Sequence, residues 1–288
     1  MDTPHLILQA TISGLLMGGM FALIAVGLTL VVGVMRVMNF AHCALMMVGM
    51  YVSFWCFTFG GIDPYFSILF TFPLLFILGW VIQRHLFERI VGRAHHAQLL
   101  LALGILLVIE NVALLVCKPD PRIIQLGYSG WTIPLGTLTL SFSRFIAFVL
   151  AIAMVTALYL FLKRTDLGKA IRASADNREG ALIIGIHVKK VHRLAFGISS
   201  ACAGMAGSIL LPFFYVHPYI GNVFLLPAFV IIVLGGMGSF FGALLGAFVV
   251  GVVESLGSVL ISPEVSRILT LMIFILVLLF KPTGLFKH

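Results

Sequence analysis

Nine apolar runs, each close to the length of a membrane-crossing helix, dominate this chain of 288 residues. They cover residues 7–33, 38–59, 65–83, 98–117, 144–162, 194–212, 222–237, 240–261 and 267–280. A helix needs about 20 consecutive apolar residues to cross the ~30 Å hydrocarbon core of a bilayer. Hydrophobic residues make up 61% of the sequence and charged residues only 10%, whereas a soluble domain carries about 25% charge. So much apolar surface cannot be hidden in one water-soluble core. A membrane β-barrel is excluded too, because its strands alternate apolar and polar residues and these runs are continuous. The expected fold is all-α: a polytopic integral membrane helical bundle of about 8–9 transmembrane helices, one domain over residues 1–288. The first run is long enough to tilt or to contain a break, and the seventh is short.

The formal net charge is +8. In a membrane chain, basic residues mark the cytoplasmic side, so nucleic acid is not an expected partner. With the N-terminus outside, Arg36, the group Arg84, Arg89 and Arg93, eight basic residues between 163 and 193, and Lys281 and Lys287 all fall inside. Of the 18 Lys and Arg, only Lys118, Arg122, Arg144 and Arg267 remain outside. This predicts an outside N-terminus, a cytoplasmic C-terminus and an odd number of crossings, so the seventh and eighth runs stand or fall together. No Lys or Arg precedes Leu6, which argues against a cleaved signal peptide. Cys43, Cys56, Cys117 and Cys202 lie in or at the ends of apolar runs without a C-x-x-C pair. Neither disulfides nor a metal cage is expected from them. His95 and His96, adjacent in the basic loop 84–97, make an unconvincing metal pair. The loop 118–143, rich in Pro and Gly, reads as irregular and external.

One stretch of the long internal segment 163–193 breaks the apolar pattern. "GKAIRASADNREGALIIGI", residues 168–186, reads as a short, well-capped helix in water. Asp176 or Asn177 is positioned as its N-cap, and Glu179 stands three residues after Asp176, the reach-back position of a capping box. Gly185 is placed as the residue just past the end, followed by the apolar Ile186, the pattern of a Schellman close. Ala181, Leu182, Ile183, Ile184 and Ile186 exceed what one narrow buried stripe needs. Either they pack on the protein's own helices or the lipid interface, or they dock into a partner.

This segment resembles the ATPase-contacting loop of permeases of the branched-chain amino acid ABC transporter family, through Gly168, Lys169, Ala170, Arg172, Ala173, Asp176, Asn177, Ala181, Gly185 and Ile186. "GLTLVVGVMRVMNFAH" (27–42) is similar to the family's N-terminal signature, "GGMGSFFGALLGA" (235–247) to its Gly-rich late segment, and "FKPTGLF" (280–286) to its ending. Cys43 departs from the Gly that is common after Asn-Phe-Ala-His. The resemblance covers nearly the whole chain and points to the shorter of two paralogous permeases. It implies a coupling role for the loop residues just named. It also implies a paralogous permease partner, two cytoplasmic ATPases that bind the ATP and Mg, and an external solute-binding protein, in a prokaryotic cytoplasmic membrane. Family relatives also move urea and short amides, so the substrate does not follow from the fold.

No Walker A pattern, H-E-x-x-H or G-x-S-x-G occurs, so nothing supports catalysis or nucleotide binding by this chain itself. Polar groups inside the runs are the remaining clues. Glu110 and Glu254 are carboxylates placed where a bilayer makes them expensive. They line a translocation path, or they are protonated or hydrogen-bonded carboxyls that join helices. Asn39 and His42, three apart, would share a helix face at the start of the second run, as path residues or as satisfied structural groups. Gly238, Gly242 and Gly246 recur every four residues. They form one smooth packing face, or "GGMG" breaks the chain into half-helices. The competing functional class is a self-contained secondary transporter or channel, which would need Glu110 or Glu254 for ion coupling and has no use for the capped cytoplasmic helix.

Overall fold

The computed structural model describes residues 3–90, 95–135, 138–281 and 284–285. Arg93, the His95 side chain, Lys287, and Pro282, Thr283 and Phe286 of the C-terminal motif lie outside the described residues. The elements are α1 (Thr3–Met35), α2 (His42–Gly60), α3 (Ile68–His85), α4 (His95–Cys117), β1 (Thr132–Leu135), β2 (Leu138–Ser141), α5 (Phe142–Arg164), α6 (Asp166–Asp176), α7 (Arg178–Ile183), α8 (Val188–Leu210), α9 (Ile220–Gly235), α10 (Phe240–Leu260) and α11 (Pro263–Phe280). A short 3-10 turn, Phe87–Arg89, follows α3.

Among the described residues, eight helices are long and apolar enough to cross a membrane, and α9 is a shorter apolar helix of 16 residues. At 1.5 Å per residue α9 is about 24 Å long, and its first residues pack on Cys43 at the start of α2 and on Phe21 of α1. One face gathers the start of α1, the α2–α3 connection and the hairpin. There Gln9 exchanges hydrogen bonds with the backbone of Thr139, Tyr128 donates to Asp63, and Arg122 pairs with Val216 just before α9. At the other face the C-terminal tail meets the far end of α9, the Leu285 N–H donating to Leu234 O at 2.8 Å. The start of α1 and Leu285 therefore lie at opposite faces.

The first apolar run forms one unbroken 33-residue helix. It is apolar on every side, and such a helix belongs in an interior. From Met20 to Val31 nearly every α1 side chain is buried, and α10, α8, α5 and α9 surround it. Lipid tails are as apolar as leucine, so close packing, not water exclusion, holds membrane helices together. Glycines allow it here. A Cβ on Gly251 would lie 2.6 Å from Gly14 O and Gly18 N, and one on Gly14 would lie 2.7 Å from Val252 Cα.

A second join is polar. Ser53 of α2 donates to Ser208 of α8 at 2.6 Å, Ser67 donates to Ser53 at 2.7 Å, and Thr71 of α3 meets Ser208 at 2.9 Å. All four side chains are buried, and each hydroxyl has a partner.

Three local expectations change. Residues 118–143 are not wholly irregular: the β-branched and apolar run around 132–141 pairs as a hairpin, from Thr132↔Ser141 to Leu135↔Leu138. Asn39 lies before α2 and folds back so that its Oδ1 accepts the Ala41 N–H at 3.1 Å, so it shares no helix face with His42. Gly238 leaves the face that it was expected to share with Gly242 and Gly246. Gly236 and Gly238 take φ values of 94° and 89°, in the left-handed region that an α-helix cannot contain. The chain turns there from α9 into α10, which Ser239 caps through the Gly242 N–H at 3.1 Å. Gly242 and Gly246 do face α9 closely, against Gly235 and Ile231 respectively.

Replacing Gly251 with valine should overfill the α1–α10 crossing at a cost of about 1–3 kcal/mol, while Gly130→Ala, with open space around it, should be nearly neutral. Thermal unfolding in detergent checks both. Equal melting temperatures would mean that the crossing is not as tight as described.

Candidate functional site

The charged segment forms two helices rather than one. Thr165 caps α6, its Oγ1 accepting the Gly168 N–H at 3.0 Å while donating to Phe161 O at 2.7 Å. Gly168 lets α6 fold back on the end of α5, because a Cβ there would collide with Phe161 O and Leu162. Ile171 buries against Leu30 and Val34 of α1 and Val191 and Ala195 of α8, a small core separate from the main one. The chain then turns at Asn177, whose Oδ1 accepts the Gly180 N–H at 2.9 Å and opens α7. The cap is Asn177, not Asp176, so Glu179 sits one residue short of the reach-back position and no capping box forms. The far end closes as a Schellman motif: Ile186 N–H donates to Ala181 O at 2.9 Å and Gly185 N–H to Leu182 O at 3.1 Å. Gly185 takes φ +83°, which glycine adopts without strain.

This elbow sorts the residues named from the sequence. Gly168 and Ala181 are buried, and Ala173 and Ile186 are half-buried. Arg172, Asp176, Asn177 and Gly185 are exposed. The largest apolar exposure falls on the residues between those positions: Leu182 is 55% exposed, Ile183 85% and Ile184 72%. The bundle does not cover them. Beside α7, Arg193 of α8 grips Glu88 of the 3-10 turn with two hydrogen bonds of 2.8 and 3.0 Å, and Lys189 approaches the same carboxylate at 3.6 Å. This clamp fixes the first two turns of α8, to which the elbow is joined. Next to the elbow, a cavity of about 350 Å³ is lined in part by Thr29, Lys163, Arg172 and Gly238.

Near the hairpin face, α1, α5, α9, α10 and α11 border an open cavity of about 380 Å³. Glu254 lines it, together with Asn222, Arg144 and Arg267. Asn222 also reaches behind the wall, donating to Glu110 Oε1 at 2.7 Å, and Glu110 is only 4% exposed. The two intramembrane carboxylates therefore share one neighbourhood, Glu110 already partnered and Glu254 facing open space. Sequence reasoning missed Arg144, Arg267 and Asn222 as site residues. The two arginines registered only as external charges, and Asn222 carried no signal of its own.

Asn39 and His42 belong elsewhere, fully buried within the bundle. His42 Nε2 lies 3.0 Å from Ile24 O, and its Nδ1 lies 3.3 Å from Ser199 Oγ. A carbonyl only accepts, so Nε2 carries the proton and Nδ1 is free to accept from Ser199. The ring ties α1, α2 and α8 together.

A many-helix bundle with a charged cleft toward one face and a capped, apolar elbow at the other is the architecture of a multi-pass membrane transport subunit. The chain belongs to the family described as branched-chain amino acid transport system / permease component, which it matches over residues 10–278. It is 31% identical to the high-affinity branched-chain amino acid transport system permease protein LivH of Salmonella typhimurium, over 96% of this chain and 94% of that one. It is 30% identical to the corresponding protein BraD of Pseudomonas aeruginosa, over 96% and 95%. A probable branched-chain amino acid transport permease of Methanocaldococcus jannaschii is 30% identical over 92% and 88%. No solved structure matches the chain.

Substituting His42 with leucine should remove both ring hydrogen bonds, leave Ser199 Oγ without this partner and cost about 1–3 kcal/mol. The check is a lower melting temperature in detergent, with Ser199→Ala falling between this variant and wild type. An unchanged His42→Leu melting curve would return the residue to the list of path candidates.

Proposed function

We propose that this chain is the membrane-spanning subunit of an ATP-driven importer of branched-chain or related amino acids. Membership of the permease family and the names of its relatives support the substrate class. The observation that carries the ATP-driven part is the elbow: three large apolar side chains left exposed on a helix with both ends fixed. Two cytoplasmic ATPase subunits, which bind ATP and Mg, receive this face. An autonomous carrier has no use for it.

In this reading the loop 163–193 is the ATPase-contacting segment of a single permease domain. Leu182, Ile183 and Ile184 enter the ATPase, with Ala173, Asp176 and the exposed Arg172 on the approach. Asn177 and Gly185 hold the shape of α7, Ala181 and Ile186 seat it, and Gly168 joins α6 to α5. ATP binding draws the ATPases together and moves the elbow. The motion passes through Ile171 into α1 and α8, and the bundle opens alternately to each side. Lys and Arg crowd the elbow face, which favours that face, and the C-terminus, as cytoplasmic. The hairpin face and the N-terminus are then external, where a solute-binding protein delivers substrate. A paralogous permease completes the pore as a heterodimer in a prokaryotic cytoplasmic membrane.

Pull-down of the tagged chain from native membranes in mild detergent should recover an ATPase pair and a second permease, and Ile183→Asp with Ile184→Asp should lose the ATPases while the protein still inserts. Recovery of the chain alone, under conditions that preserve a control complex, would favour an autonomous carrier instead.

Gly185→Val should strain the left-handed close by roughly 1–2 kcal/mol and reduce transport, and Gly185→Asn should retain more of it. Full transport by the valine variant would remove the rigid elbow from the mechanism.

A further inference from the structure

We infer that the cavity beside Glu254 is a binding site for a free aliphatic α-amino acid, held as its zwitterion. The inference rests on the importer reading above and assigns a substrate site within it. An α-amino acid presents an ammonium, a carboxylate and an apolar side chain, so its site needs an anion, a cation and an apolar wall. The cavity has all three: Glu254, the guanidinium groups of Arg144 and Arg267, and a wall that includes Phe21, Phe224 and Leu226. Its volume of about 380 Å³ falls within the ~300–1,000 Å³ of small-ligand sites.

Two of the three charges close on no partner, although Arg267 also faces Glu264 one turn before it, while the third, Arg144, lies over the Phe213 ring at 6.0 Å. Among the described residues, the Glu254 carboxylate makes no hydrogen bond and no salt bridge, and neither does the Arg267 guanidinium. Arg267 is near enough to act on Glu254 electrostatically, yet the two do not close on each other. Intramembrane charges otherwise pair with one another or with carbonyls. Glu110 shows the contrast, since its carboxylate is taken up by Asn222.

The frame around the carboxylate is built and held. Ser266 of α11 donates to the backbone carbonyl of Glu254 at 2.7 Å, and Ser255 donates to Ala10 O at 2.6 Å. These bonds fix α10 against α11 on one side and α1 on the other. Glu254 lies six residues before the end of α10, about 9 Å along the helix. A ligand entering from the hairpin face reaches it without crossing the bundle. Urea or a short amide would require neither charge, and a purely apolar ligand would leave both stranded.

The test is thermal unfolding of the detergent-purified complex, in which a bound ligand raises the melting temperature by mass action. L-leucine should stabilise it. Leucinamide, which lacks the carboxylate, and 4-methylpentanoate, which lacks the ammonium, should each need at least about tenfold higher concentration, as expected for one lost charged hydrogen bond. Glu254→Gln should weaken leucine by a similar factor and leave 4-methylpentanoate unchanged. Equal potency of all three compounds on the wild-type complex would overturn the site, whether or not the variant folds. Stabilisation by acetamide or by phosphoethanolamine, but not by leucine, would overturn it in favour of an amide site or a lipid-headgroup groove. ATP hydrolysis by the same preparation is read separately. Hydrolysis without leucine stabilisation would sink this inference alone. Leucine stabilisation in a preparation with no ATPase would keep the site and remove the importer reading.

Discussion

A helix that is apolar all round has to be approached from all round, and α1 sets that condition for the whole bundle. Its neighbours must come close enough for backbone to meet backbone, which only small residues allow. Gly14 and Gly18 meet Gly251 across the α1–α10 crossing, and Gly27 gives Cys202 and the His42 ring room beside α8. The remaining helices then arrange themselves by what they offer to α1 or to its immediate neighbours. α3, α4 and α11, which touch α1 little, carry much of the exposed apolar surface. Such a surface suits lipid or a second transmembrane subunit.

The division of labour follows from the same geometry. The elbow and the charged cavity lie toward opposite faces, and α1 runs between them, touching Ile171 through Leu30 and Val34 at one end and lining the cavity with Phe21 and Met17 nearer the other. A displacement applied at the elbow thus meets two helices, α1 and α5, that also border the cavity. The clamp of Arg193 on Glu88 stiffens the same corner, since a two-pronged guanidinium–carboxylate pair fixes orientation as well as distance.

Much of the scaffold was legible in the sequence, because a span needs only continuous apolar length. The same signal faded at α8, which begins at Val188 rather than near residue 194: Lys189, Lys190 and Arg193 make its first turn look like loop. α6 escaped notice for a related reason. Its buried side consists of Gly168, Ile171 and Ser174, too small a stripe to stand out among charges. The ends of α7 were readable because Asn177 and Gly185 act through local backbone geometry, although the choice between Asp176 and Asn177 depended on where α6 stopped. The cavity was not readable. Arg144, Asn222, Glu254 and Arg267 come from four different helices, and no spacing along the chain brings them together. The Glu110–Asn222 bond spans 112 positions.

The hydroxyl cluster of Ser53, Ser67, Thr71 and Ser208 has a mechanical consequence. These hydroxyls bond one another in a buried place, and parting α2 from α8 would strand the Ser53 donor, whereas Ser67 and Ser208 keep the carbonyls of Pro64 and Gly204. α2, α3 and α8 are thereby riveted into one stiff block. The contact of that block with α5 is of the opposite kind: an almost wholly apolar gap of about 390 Å³, bordered by Phe72, Met154, Phe161 and Met205. No hydrogen bond crosses that gap, and the block is tied to α5 nearer the hairpin, where Tyr65 donates to Ser143 O at 2.7 Å. The molecule therefore has a rigid plate and, along one edge of it, a lubricated seam.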